Sequence, residues 1–193
     1  MNKMVNFGKF GRVLKNGAVV GENLEEILLN EAKPQVLYEY ARDVIKGAWP
    51  IAEAIIAKSP EWSLWYAVKV KGSRFVEGEE AIKQDPRYAY LYAKEVMMGR
   101  WLEGEPAVLK SPENSYFYAR EVVQGPWFEA EDTIKKDALS SFYYADHVLN
   151  NRFIAAEPTL VNSSLWNKYS ERFGVQRDEV EAEDKKSNVF KMR

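Results

Sequence analysis

Small, aromatic and apolar side chains return along residues 33–162 at a fixed interval of 26 residues, and inside each interval they fall on two helical stripes. In the second interval Ser63, Tyr66, Ala67 and Val70 stand at i, i+3, i+4 and i+7, which is one face of an α-helix. Phe75, Gly78, Glu79 and Ile82 repeat that spacing after a short gap. The pattern predicts two short helices per copy. The clearest marker is a Tyr-Ala pair at Tyr40, Tyr66, Tyr92, Tyr118 and Tyr144, followed at constant offsets by Val, by Trp or Phe, and by Glu53, Glu79, Glu105, Glu131 or Glu157.

Punctuation recurs with the same period. Ser59-Pro60, Asp85-Pro86, Ser111-Pro112 and Asp137-Ala138 offer a side-chain N-cap, in three cases ahead of a proline whose missing N–H costs nothing at the first helical position. Lys33-Pro34 fills the equivalent place in the first copy. Gly47, Ser73, Gly99, Gly125 and Asn151 mark the end of the first helix and predict a left-handed turn there, with Gly72 one residue early in the second copy. The second helix should then open at Trp49, Phe75, Trp101, Trp127 or Phe153.

Helices of this length are unstable alone in water, so the copies must hold one another. The predicted fold class is all-α: an α-solenoid of five stacked antiparallel helix pairs. Its repeat domain is 33–174, divided as 33–58, 59–84, 85–110, 111–136, 137–162 and a half repeat 163–174, in which Tyr169 falls one residue early. Residues 1–32 form an N-terminal cap with a short β-hairpin about Asn16-Gly17, a dipeptide that favours a type I′ turn, and a helix in which Glu26 and Leu29 match Glu53 and Ile56 with a one-residue slip. Residues 175–193 form a tail with balanced charge, and Val189-Phe190 is a possible anchor within it.

Composition narrows the function classes. The 193 residues carry 27 Lys and Arg against 29 Asp and Glu, a net charge of −2, so no global field draws the chain to nucleic acid or to an anionic membrane. The absence of cysteine removes disulfide and thiolate chemistry and fits a cytoplasmic protein. Neither a signal peptide nor a long apolar run is present. A single histidine, His147, leaves no Cys-His pair and no multi-His metal site, and its place in the first helix of the fifth copy predicts a surface position.

Two sets of residues remain as candidates for chemistry. The recurring Glu lies on a buried stripe in every copy; regular recurrence favours a scaffold joint, satisfied by a Tyr hydroxyl, a Trp indole or backbone N–H groups, over an asymmetric catalytic site. The stripe aromatics are expected in the core. Off the stripes, Trp62, Trp65, Tyr88, Tyr90, Tyr116 and Phe117, with Arg74, Arg100 and Arg152, are the candidate partner-binding surface. Acids crowd the start of the second helices at Glu77, Glu80, Glu103, Glu129 and Asp132, which complements the helix dipole and forms a possible acidic ridge.

The segment Tyr40-Ala-Arg-Asp-Val-Ile-Lys-Gly-Ala-Trp-Pro-Ile-Ala-Glu53, echoed by Tyr118 to Glu131, resembles a short helical repeat of open reading frames in tailed bacteriophages and some bacteria. The resemblance covers about residues 33–174 and supplies no catalytic or ligand residues. It implies provenance, and with it a non-enzymatic, phage-encoded protein-binding module that inhibits a host protein in the host cytoplasm, a defence enzyme or the transcription machinery. The alternatives are a nucleic-acid-binding repeat using the three arginines and a DNA mimic using the acidic ridge. No cofactor and no metal site is expected.

Overall fold

The computed structural model describes residues 4–6, 12–14, 19–20 and 24–182. From Leu24 onward the described chain is helices and short turns. Ahead of them three short strands, β1 (Met4–Asn6), β2 (Arg12–Leu14) and β3 (Val19–Val20), pair antiparallel in the order β1-β2-β3, with Met4 opposite Leu14 and Arg12 opposite Val20. The Asn16-Gly17 turn, Lys185, Lys186 and Val189-Phe190 lie outside the described residues. The chain divides into two compact units, Met1–Gly104 and Glu105–Arg193.

The first unit holds α1 (Leu24–Glu31), α2 (Pro34–Tyr40), α3 (Pro50–Ile56), α4 (Pro60–Tyr66), α5 (Val76–Ile82) and α6 (Pro86–Tyr92). Each helix packs on its sequence neighbour and on the helix one copy away: α4 on α5, α2 on α4, α3 on α5 and α4 on α6. The second unit holds α7 (Glu105–Val108), α8 (Pro112–Tyr118), α9 (Phe128–Ile134), α10 (Ala138–Tyr144), α11 (Glu157–Leu160) and α12 (Trp166–Phe173), with α8 on α9 and on α10.

Helix starts obey the caps written in the sequence. The side chains of Ser59, Asp85, Ser111 and Asp137 each accept a backbone N–H two or three residues on, and Lys33 makes no such bond. The second helices vary, and proline explains it. In the third and fifth copies Pro106 and Pro158 follow the recurrent Glu and lack the N–H that would extend an α-turn backwards, so α7 and α11 open at Glu105 and Glu157 and have four residues each. Elsewhere the stripe aromatic is the N-cap and the helix begins one residue later.

The first helices end differently from expectation. Each runs on from its Tyr into one wide turn of π-helix, Ala41–Ile45, Ala67–Lys71, Ala93–Met97, Ala119–Val123 and Ala145–Leu149. The residue in the left-handed region is then Lys46, Gly72, Met98, Gln124 or Asn150, one position earlier than predicted. The Ala41 carbonyl accepts from both the Lys46 and Gly47 N–H groups, and the Ala93, Ala119 and Ala145 carbonyls are used the same way. That closure satisfies the terminal carbonyl, and it leaves Gly47, Gly99 and Gly125 with negative φ and open space where a Cβ would stand. Nothing in the structure requires glycine there.

Both ends of the helical chain are covered by partial copies. Leu24 and Leu28 of α1 are buried, and Glu25 takes the place that Glu53 has in a full copy, so the register slips by two residues and Glu25, not Glu26, is the matching acid. At the other end Val175 and Val180 are buried, the latter within the helical stretch 177–182.

Candidate functional site

The recurrent Glu is held by the Tyr of the next copy. In the first unit the Trp49 N–H donates to the Tyr66 hydroxyl at 2.7 Å, and that hydroxyl donates to a Glu53 carboxylate oxygen at 2.9 Å. Phe75 N–H, Tyr92 and Glu79 repeat the relay at 2.9 and 2.8 Å. In the second unit Tyr118 donates to Glu105 at 2.9 Å, and Trp127 N–H, Tyr144 and Glu131 follow at 2.9 and 3.1 Å. Phe153 N–H, Tyr169 and Glu157 close the series at 2.7 and 2.9 Å despite the one-residue deletion before Tyr169. The relay ties a backbone N–H at a helix start to a buried carboxylate through one phenol.

One turn earlier Ser63, Ser115 and Ser141 donate to the carbonyls of Ile56, Val108 and Ile134. Since Ser63 meets Ile56 while Tyr66 meets Glu53, α3 and α4 run antiparallel, and α7 with α8 and α9 with α10 do the same. In the full copies the Tyr ring also lies on the stripe aromatic of its own copy, with centroids 4.7 Å apart between Tyr118 and Trp127 and 5.2 Å apart between Tyr144 and Phe153. The same phenol therefore joins two copies. The close packing also fixes two small residues: a Cβ on Gly78 would meet Ser63 at 2.5 Å, and one on Gly104 would meet the Trp101 ring at 2.1 Å.

Cations complete the joint where the sequence supplies them. Arg74 forks onto both oxygens of Glu79 at 2.9 Å, Arg152 onto those of Glu157 at 2.8 and 2.7 Å, and Lys71 reaches Glu53 at 3.2 Å. Burial works against the Glu79 charge, but Arg74 and Tyr92 together hold its carboxyl below the usual carboxylate range. Burial, reinforced by the facing Glu25, pushes the Tyr40 phenol up to about 12. Burial and the neighbouring carboxylate likewise raise Tyr66, Tyr92, Tyr144 and Tyr169. These groups are satisfied structural partners, as a scaffold reading of the Glu series requires.

The candidate surface residues scatter. Tyr90 and Tyr116 are buried, Tyr116 beside Tyr143 of the next copy with ring centroids 6.0 Å apart. Trp62, Trp65, Tyr88 and Phe117 are half-buried, Trp62 against Tyr38 with centroids 5.4 Å apart and Phe117 against Tyr116 at 5.0 Å. Arg74 and Arg152 turn into the joints, and Arg100 is exposed with an interaction of its own. His147 is at the surface as expected; the Tyr116 hydroxyl lies 2.8 Å from its Nδ1, and the Tyr143 ring stacks on it at 5.1 Å.

Another periodic set is exposed, and it does not coincide with any of these. The residue after the stripe aromatic is Val76 or Leu102 in the first unit and Phe128 or Ile154 in the second, and these are 61%, 65%, 74% and 60% exposed. The first copy has Pro50 and Ile51 there, Ile51 at 64%. Their 26-residue spacing was visible in the sequence, but they stand one residue off the i, i+3, i+4, i+7 stripe on which the helices were recognised. Exposed acids Glu77, Glu103 and Glu129 follow them directly.

Among the described residues no group of three or more His, Asp or Glu could hold a metal ion, and no helix is long and apolar enough to cross a membrane. A hollow of about 110 Å³ between the first-helix ends of copies two and three, lined by Val68, Gly72, Val96 and Met98 among others, is small beside the several hundred Å³ of a typical ligand site. No protein-family model matches the chain, and no curated protein or solved structure is detectably similar to it.

Proposed function

We propose that this chain is a non-enzymatic protein-binding module, an α-solenoid that offers a repeated outer surface to another protein. The supporting observation is that the recurrent carboxylates, phenols and arginines that looked most like chemistry are spent on joints between copies, at Glu53, Glu79, Glu105, Glu131 and Glu157. What recurs outward is contact surface. The resemblance to phage repeats directs the reading to an inhibitor acting in the host cytoplasm on a host protein, a defence enzyme or the transcription machinery. The test is capture from bacterial lysate on the full chain; recovery of no stoichiometric protein partner sinks the reading.

A DNA mimic has one observation in its favour, the exposed acids Glu77, Glu103 and Glu129 at a constant interval. Charge reversal at all three without effect on the target rules it out. The nucleic-acid reading loses support because two of its three arginines, Arg74 and Arg152, are committed to Glu79 and Glu157. A mobility shift that is absent at low salt dismisses it.

A further inference from the structure

Resting on the protein-binding reading, we infer that the edge of the first unit formed by Ile51, Val76 and Leu102 with Glu77 and Glu103 is a docking ridge for a basic amphipathic helix of the partner. Val76 and Leu102 keep the 26-residue period and Ile51 stands one residue off it, on α3, which packs on α5. The Tyr66 phenol holds the Trp49 N–H and its ring lies 5.0 Å from Phe75, and Tyr92 holds the Phe75 N–H with its ring 4.9 Å from Trp101, so the aromatics that precede the three apolar residues are linked copy to copy. Val76 with Glu77 and Leu102 with Glu103 therefore recur at the same place on successive linked copies. The result is an alternation of exposed apolar and acidic side chains along one edge.

Charge selects the occupant. Three cations of these copies are already engaged: Arg74 with Glu79, Lys83 with Glu80, and Arg100 with a partner of its own. Glu77 and Glu103 are left facing water, which favours Lys or Arg on the incoming surface. A second copy of this chain would bring acid against acid across the same ridge, and a bare polycation would gain nothing from Val76 and Leu102. Spacing selects the form. Packed helices stand about 8–10 Å apart, so anchors on successive copies match side chains at i and i+7 of a helix, about 10.5 Å apart. Three anchors ask for about four turns of helix with a basic flank.

The test uses fluorescence anisotropy of the full chain with a labelled model helix of about 18 residues built from Leu and Lys, and two matched helices in which Glu replaces Lys or Ser replaces Leu. The Leu/Lys helix is expected to bind at least about tenfold more tightly than either control. Val76→Asn with Leu102→Asn should weaken it about tenfold, and Glu77→Gln with Glu103→Gln about threefold with a shallower salt dependence. All four side chains are exposed, so the circular dichroism and melting of both double variants should match the parent. Equal binding of the Leu/Lys and Leu/Glu helices, undiminished binding by Val76→Asn with Leu102→Asn, or a dimer in sedimentation that Leu102→Asn dissolves would each overturn the proposal. A lysate partner whose capture survives Val76→Asn with Leu102→Asn would overturn the ridge alone. A failure to capture any partner, with the Leu/Lys helix still bound at the ridge, would overturn the general reading alone.

Discussion

Glu157 and Glu131 sit in the same unit and hold the same joint, yet they are buried to different depths. Glu157 is 1% exposed and is gripped by both nitrogens of the Arg152 fork. Glu131 is half-buried, and the residue five before it is Pro126, which has no charge to offer. Both accept a Tyr hydroxyl, at 2.9 Å for Glu157 and 3.1 Å for Glu131. The difference teaches that the phenol sets the register of the joint while the arginine allows its charge to leave water; a carboxylate without that partner keeps part of its hydration.

Alkaline titration acts on every joint at once and should have the largest effect. The phenols of Tyr40, Tyr66, Tyr92, Tyr144 and Tyr169 have folded pKa values raised above the ordinary value near 10, so their contribution is complete below about pH 10 and is lost as pH rises toward the folded values. Tyrosinate absorbance and helical circular dichroism should change together above that pH. Tyrosinate from these groups appearing while the helices persist would break the account.

Single substitutions then grade the comparison. Arg152→Ala strands a buried carboxylate and should cost about 3 kcal/mol in urea unfolding. Tyr92→Phe leaves the Phe75 N–H and Glu79 without the relay and should cost about 2 kcal/mol, whereas Tyr144→Phe, beside the better hydrated Glu131, should cost about 1 kcal/mol. Met98→Gly relieves a left-handed residue at φ 52° and should stabilise by about 1 kcal/mol, while Gly99→Ala beside it should change little. Pro126→Arg gives Glu131 the missing cation and should add at most about 0.5 kcal/mol. A gain equal to the Arg152 loss would show that burial depth has no part in the difference.

Local rules explain why some of this was legible. The Ser and Asp caps act within one turn, so they read directly from sequence, and the positions sharing a helix face follow from 3.6 residues per turn. The left-handed residue was misplaced because a π-turn inserts one residue: in α12, which lacks that turn, Gly174 follows Tyr169 by five positions, and in full copies the left-handed residue follows the Tyr by six. Glycine at the next position drew attention to the wrong residue.

The sequence by itself determined the repeat, the helix boundaries at their capped ends and the aromatic core, because each depends on residues a few positions apart. Tertiary structure decided which Tyr meets which Glu, which aromatics beside the stripe go under the next copy, and that Val76 and Leu102 remain in water. Periodicity fixes the face on which a side chain stands, but whether that face is covered depends on a neighbour far along the chain, and no local rule carries that information.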